Sequence, residues 1–171
     1  QSEKDSSRSS YNVRSIDVIA HLLKKLNRYE RLRALDVGVI TAYTAQLKRL
    51  SKAVNKLRPS IPNVDGGRAR NNKLTTSVFD RFQGLERDVM IVDLVRSGPN
   101  TQLGFMEVPN RINVALSRQK KLLFIVGDYQ GILKARPMRV KGNAAIQDYM
   151  KSLKSEWVIN ANDLESLFLE G

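Results

Sequence analysis

The chain has 171 residues, 42% of them apolar, and no cysteine; one sizeable core is possible, while disulfides and thiolate metal sites are excluded. Twenty-nine Lys+Arg against 17 Asp+Glu give a net charge of +12 and a pI near 10.2. A membrane-spanning helix would need a run of roughly 18 or more apolar residues, and none occurs.

The opening "QSEKDSSRSS" has no apolar stretch of the kind a secretory signal needs. Residues 1–10 read as a disordered tail and residues 11–171 as one domain, expected inside the cell, cytoplasmic or nuclear. From Val13 to about Leu32, apolar residues recur with helical spacing (Ile16, Ile19, Ala20, Leu23, Leu26), leaving Lys24, Lys25, Arg28 and Arg31 for an outer face. The β-branched "DVGVIT" (Asp36–Thr41) predicts a strand. A second amphipathic helix follows, with Leu47, Leu50, Val54 and Leu57 on one side and Lys48, Lys52 and Lys56 on the other. "RPSIPNVDGGRARNNK" (Arg58–Lys73) reads as an exposed basic loop. Between Lys24 and Lys73 there are 13 basic and 3 acidic residues. That asymmetry suits a polyanion such as nucleic acid, and it equally suits a solvated face.

Next come "LTTSVF", a strand, and "DVMIVDLV", another, with the polar "DRFQGLE" between them. Pro109 opens a helix that runs through "NRINVALSR". "LLFIVGD" (Leu122–Asp128) predicts an apolar strand, followed by a helix near Ala144–Leu153, a short strand at "WVI" and a last helix around Asp163–Leu169. Trp157 and His21 are expected in or beside the core, and His21, the one histidine, makes a His-centred metal site improbable on composition. Strands alternating with helices, and central strands apolar on both faces, imply an α/β fold with a mostly parallel sheet between helical layers. Ligands of such sheets gather beyond the carboxyl ends of the strands. Three segments leave strands with polar side chains there: Thr41–Gln46, Asp80–Glu86 and Gly127–Asp128.

Within "DRFQGLE", Gly84 permits a sharp turn, Gln83 offers both donor and acceptor, and Glu86 can accept from a ribose hydroxyl or a metal-bound water. An ordinary turn with Asp80 and Gln83 capping nearby backbone fits the same residues. Arg111 and Arg118, two helical turns apart, share one helix edge and suit phosphate oxygens, or simply the solvent. No G-x-x-x-x-G-K-[ST] occurs, so the chain carries no loop of its own to cradle the β- and γ-phosphates of a nucleotide.

"VGVITAYTAQ", "VFDRFQGLERDVMIVDLVRS" and "GFMEVPNRINVALSRQKKLLFIVGD", in this order, resemble the second RecA-like domain of superfamily 1 helicases, above all the RNA-surveillance (nonsense-mediated decay) helicase family. The likeness covers roughly Val37–Asp128. It implies a RecA-like P-loop NTPase fold lacking the phosphate-loop domain, and a C-terminal motor domain of an ATP-dependent DNA or RNA helicase. In that family Arg118 would be the motif VI arginine finger reaching the γ-phosphate of ATP across an inter-domain cleft. Gln83, Gly84 and Glu86 would be motif V on the nucleotide side, and Arg111 a supporting motif VI arginine. Thr41, Tyr43, Thr75, Thr76, Ser77 and Asp80 would meet single-stranded DNA or RNA. The implied cofactor is ATP with Mg2+, bound mainly by an N-terminal RecA-like domain of the same protein, and the isolated chain is expected to hydrolyse nothing. Ala42 stands where the family has Pro, and Asn110 and Gln119 where Arg and Ala are usual. The other reading is a non-hydrolysing RecA-like module that binds nucleic acid or protein.

Overall fold

In the computed structural model, residues 1–6, 9–57, 74–98 and 102–166 are described. The basic loop at Arg58–Lys73 and the end of the last expected helix lie outside them. Strands β3 (Val37–Thr41), β4 (Leu74–Val78), β5 (Arg87–Asp93) and β6 (Gln119–Val126) form one sheet in the order β4-β3-β5-β6, every neighbour parallel. Parallel strands demand a return connection between each pair, and those returns cover both faces.

The covering follows from alternation along the central strands. Val39, Val89 and Ile91 point into one core with Ile19, Leu23 and Leu50 of helices α1 (Val13–Arg28) and α3 (Thr44–Leu57). Ile40, Met90 and Val92 point the other way, into a core with Ile112 and Ala115 of α4 (Pro109–Leu116) and residues of α5 (Tyr129–Lys134) and α6 (Ala145–Ser152). The expected α/β architecture with helices on both faces is the one observed.

Several local expectations change. The first helix stops at Arg28, and after Tyr29 in extended backbone the short α2 (Glu30–Arg33) begins. Lys25, placed on the outer face by spacing, is buried at 4% exposure. Residues 1–10, read as a tail, contain β1 (Glu3–Lys4), paired antiparallel with β2 (Ser10–Tyr11). "WVI" is no strand: Ser155–Trp157 is a single 3-10 turn, and Trp157 is 61% exposed with Lys154 over its ring. The last segment is 3-10 over Ala161–Ser166.

The connection from β4 to β5 positions the site. Both strands run parallel to β3, which lies between them. The chain must therefore travel from the carboxyl end of β4 back to the amino end of β5 within residues 79–86. Such crossovers usually take roughly a dozen residues and a helix. Here a 3-10 turn (Phe79–Phe82) lies across β3, with Phe79 and Phe82 buried in the core. Gly38 of β3 makes that possible. A Cβ there would stand 2.6 Å from the Met90 sulfur, 3.0 Å from Phe82 Cζ and 3.1 Å from Arg87 Cγ.

Candidate functional site

"DRFQGLE" is this crossover, and so it serves both ends of the sheet. Expected as a loop beyond the carboxyl ends, it begins there at Asp80 and ends beside Arg87, at the amino end. Leu85 N donates to Phe82 O at 3.1 Å, closing a turn around Gln83 and Gly84. Gln83 has φ −58 and ψ 130, and Gly84 has φ +80, the pattern of a type II turn. Gly84 is thus demanded by backbone geometry; a Cβ on it would meet nothing within 4 Å. The turn leaves Gln83, Gly84, Leu85 and Glu86 exposed.

Arg118 lies at the same end. Helix α4 connects the carboxyl end of β5 to the amino end of β6, so its last turn delivers Ser117 and Arg118 next to Arg87. Arg87 N donates to Arg118 O at 3.1 Å, and Arg87 pairs with Gln119 in the sheet. Arg118 is partly exposed, its Nε donating to Val114 O at 3.3 Å. Arg87 itself is held in place: its guanidinium donates to Glu86 O at 2.7 Å and Thr75 Oγ1 at 3.3 Å, and it lies over the Phe82 ring. Glu86, Arg118 and the turn at Gln83 therefore rim the amino edge.

Arg111 does not join them. The helix expected to run through Arg118 ends at Leu116, leaving Arg118 between it and β6, whereas Arg111 in its opening turn sits at the carboxyl edge, where its Nε lies 3.2 Å from Asp80 Oδ1. Its guanidinium carbon is also 4.4 Å from the centroid of the Phe105 ring. Asp80, Arg111, Phe105, Tyr43, Thr44 and Ser9 all line a cavity of about 350 Å³. Ser9 Oγ accepts from Ala45 N at 3.2 Å, closing the first turn of α3.

The remaining expected strand contacts are divided by burial. Tyr43 reaches the cavity, its hydroxyl accepting from Arg96 Nε at 3.0 Å. Thr41 does not: it is fully buried, its hydroxyl enclosed without a hydrogen-bond partner among the described residues. Thr75 and Thr76 are half-buried within β4; Thr75 accepts from Arg87, and the Thr76 hydroxyl meets Ser51 Oγ at 2.8 Å. Ser77, also half-buried, pairs with Ile40 in the sheet.

Sequence reasoning missed a buried polar network behind the carboxyl edge. Gln46 on α3 and Asp93 at the end of β5 are both fully buried. Asp93 Oδ2 accepts from Gln46 Nε2 at 2.5 Å and from Ser15 Oγ at 3.2 Å, while Oδ1 accepts from Val95 N at 3.0 Å. Gln46 Oε1 in turn accepts from Asn12 N at 2.8 Å, and Asn12 Nδ2 donates to Val95 O at 3.0 Å. Burial pushes the Asp93 carboxyl up to about 6, against the lowering effect of the bonds it accepts from Gln46, Ser15 and Val95. The network clamps Val95 at φ 64, a left-handed conformation that a β-branched residue rarely adopts. The available signal was the abrupt Asp in the apolar run "MIVDLV".

The parallel sheet covered by helices on both faces is that of a RecA-like domain, and the relatives of the chain are superfamily 1 helicases. The chain belongs to the family described as "AAA domain", whose model matches residues 1–130. Curated relatives include the DNA polymerase alpha-associated DNA helicase A of Saccharomyces cerevisiae, 30% identical over 149 residues, covering 87% of this chain and 18% of that protein. The NFX1-type zinc finger-containing protein 1 of Mus musculus is 34% identical over 67% of this chain and 6% of its own length. The putative helicase MOV-10 of Gallus gallus is 30% identical over 70% of this chain and 13% of its own length. The chain thus spans under a fifth of the curated relatives named here.

Proposed function

We propose that this domain is the second motor domain of an ATP-dependent DNA or RNA helicase or translocase. It supplies Arg118, Gln83 and Glu86 to an ATP–Mg2+ site completed by another RecA-like domain, with Gly84 shaping the turn that presents them. The observation that carries this reading is the convergence of Glu86, the Gln83–Gly84 turn and Arg118 on the amino edge, stitched together by the Arg87–Arg118 backbone bond. No side chain there is committed to an ion pair among those described. A guanidinium free to approach a γ-phosphate would stabilise charge developing on the transferred phosphoryl, a contribution on the order of 10³–10⁵ in rate. The opposite edge, with Tyr43, Asp80 and Arg111, would meet the single strand. Opening and closing of the two-domain cleft would then move that strand.

The test is strand-stimulated ATP hydrolysis by the longer protein that contains this domain, wild type against Arg118→Ala. Turnover should collapse with nucleotide binding largely retained. Unchanged turnover removes Arg118 from the γ-phosphate, and no turnover in either protein favours a non-hydrolysing module.

A further inference from the structure

At the carboxyl edge three arginines lie against three aromatic rings. Arg49 stands 3.6 Å from the Tyr11 centroid, Arg96 5.6 Å from Tyr43 and Arg111 4.4 Å from Phe105. Tyr43 and Phe105 also meet edge to face, 5.4 Å between centroids. Their solvent access differs sharply: Tyr43 is 6% exposed, Phe105 38%. Phe105 is not a loose surface ring. It sits in the 3-10 turn Gly104–Glu107, between buried Leu103 and Met106, and Gly104 takes φ +56 where a Cβ would stand 3.0 Å from the Tyr43 hydroxyl and 3.2 Å from Arg96 Nη2. The fold therefore sets a partly exposed apolar ring in the wall of a cavity of about 350 Å³ whose other walls bear the Arg111 guanidinium, the Asp80 carboxylate and the hydroxyls of Ser9, Tyr43 and Thr44. Aromatic rings beside cations are what sequence-tolerant binding of unpaired strands uses, since every base has a face to stack.

We propose that Phe105 is a base-stacking platform: one nucleotide unit of a single strand enters this cavity, its base on the Phe105 ring and its phosphate on Arg111. The phosphate takes the place of Asp80 at the Arg111 guanidinium. This inference rests on the reading of the carboxyl edge as the strand-binding side. It adds that the domain holds bases as well as backbone.

The test compares binding of the chain to oligodeoxyadenylate and to a deoxyribose-phosphate strand of the same length without bases, by fluorescence anisotropy at fixed salt. Wild type should prefer the base-bearing strand by roughly 5- to 150-fold, the range a single stacked base supports. Phe105→Ala should lose that preference while keeping its affinity for the baseless strand, which also reports that the variant is folded; Phe105→Tyr should keep both. Equal binding of the two strands by wild type, or an undiminished preference in Phe105→Ala, overturns the stacking and leaves the strand-binding reading intact. Binding of neither strand brings down that reading and the platform with it. Competition by free AMP at micromolar concentration would make the cavity a mononucleotide site and overturn the assignment to a strand.

Discussion

Asp80 and Arg111, the first from the crossover and the second from the opening turn of α4, meet at 3.2 Å on the carboxyl edge with side chains 63% and 33% exposed. A pair this open to water contributes at most about 1 kcal/mol to folding. Its larger effect is to occupy the guanidinium. Asp80→Asn should leave the urea midpoint nearly unchanged and tighten single-strand binding several-fold. Arg111→Ala should instead flatten the dependence of log affinity on log salt by about 1, one phosphate contact fewer, while Asp80→Asn keeps the wild-type slope. A salt series on the three proteins checks this, and an unchanged slope in Arg111→Ala would mean that Arg111 is not recruited by phosphate.

Two glycines are required for different reasons, and substitutions separate them. Gly84→Ala meets no atom but forces an L-residue to φ +80, a cost of about 1–2 kcal/mol. Gly84→Asn should recover part of it, because Asn tolerates that region. Gly38→Ala keeps ordinary backbone but drives a methyl into Met90, Phe82 and Arg87, costing about 1–3 kcal/mol; Asn there should be worse. Equilibrium urea unfolding of the four variants gives the comparison.

Asp93 makes a pH signature. Its carboxyl, raised to about 6 by burial, binds a proton more tightly in the folded chain than in the unfolded one. This group's contribution to stability is therefore fully present below about pH 4 and is lost as pH rises toward 6, flat beyond. The interval corresponds to about 3 kcal/mol. Other carboxylates titrate over the same range, so the informative quantity is the difference from Asp93→Asn. Between pH 4 and 6 the wild type should lose stability relative to the variant, in thermal melts at matched ionic strength. A constant difference across that range would contradict the burial argument.

Glu107, 2% exposed, receives Met138 N at 2.8 Å and Arg139 N at 2.6 Å on one oxygen. It ties the segment before α6 to the turn that carries Phe105. Glu107→Ala should cost about 2–3 kcal/mol, as charged hydrogen bonds do. The Met138 and Arg139 amides should exchange with solvent much faster, ahead of the sheet amides. Uniform acceleration across the domain would indicate global unfolding instead.

The layered sheet was legible because β3, β5 and β6 are apolar on both faces and separated by segments of helical period. Length could not be read in the same way. "DRFQGLE" is rich in turn residues and looks like a loop at one edge; only the parallel pairing of β4, β3 and β5 makes it a crossover that ends at the other. Thr41 shows a related failure. At the end of a doubly covered strand a hydroxyl is enclosed like its apolar neighbours, whatever its polarity suggests. Gln46 counted only as the end of a candidate ligand segment, since nothing local announces that Asp93 waits for its amide across 47 positions of sequence. Trp157 went the other way: residue type argued for burial, and the chain packs no strand beneath it.

The crossover also has no slack. Residues 79–86 are all that lie between Val78 and Arg87, with Phe82 seated against Gly38 and a closed turn from Phe82 to Leu85. The segment acts as a ruler laid across β3. One residue added or deleted inside it would lift Phe82 from its seat or pull Asp80 away from Arg111, even with every side-chain type preserved. Single substitutions at the exposed Asp80, Arg81, Gln83, Leu85 and Glu86 should leave the fold intact, whereas changes of length should not be tolerated at all.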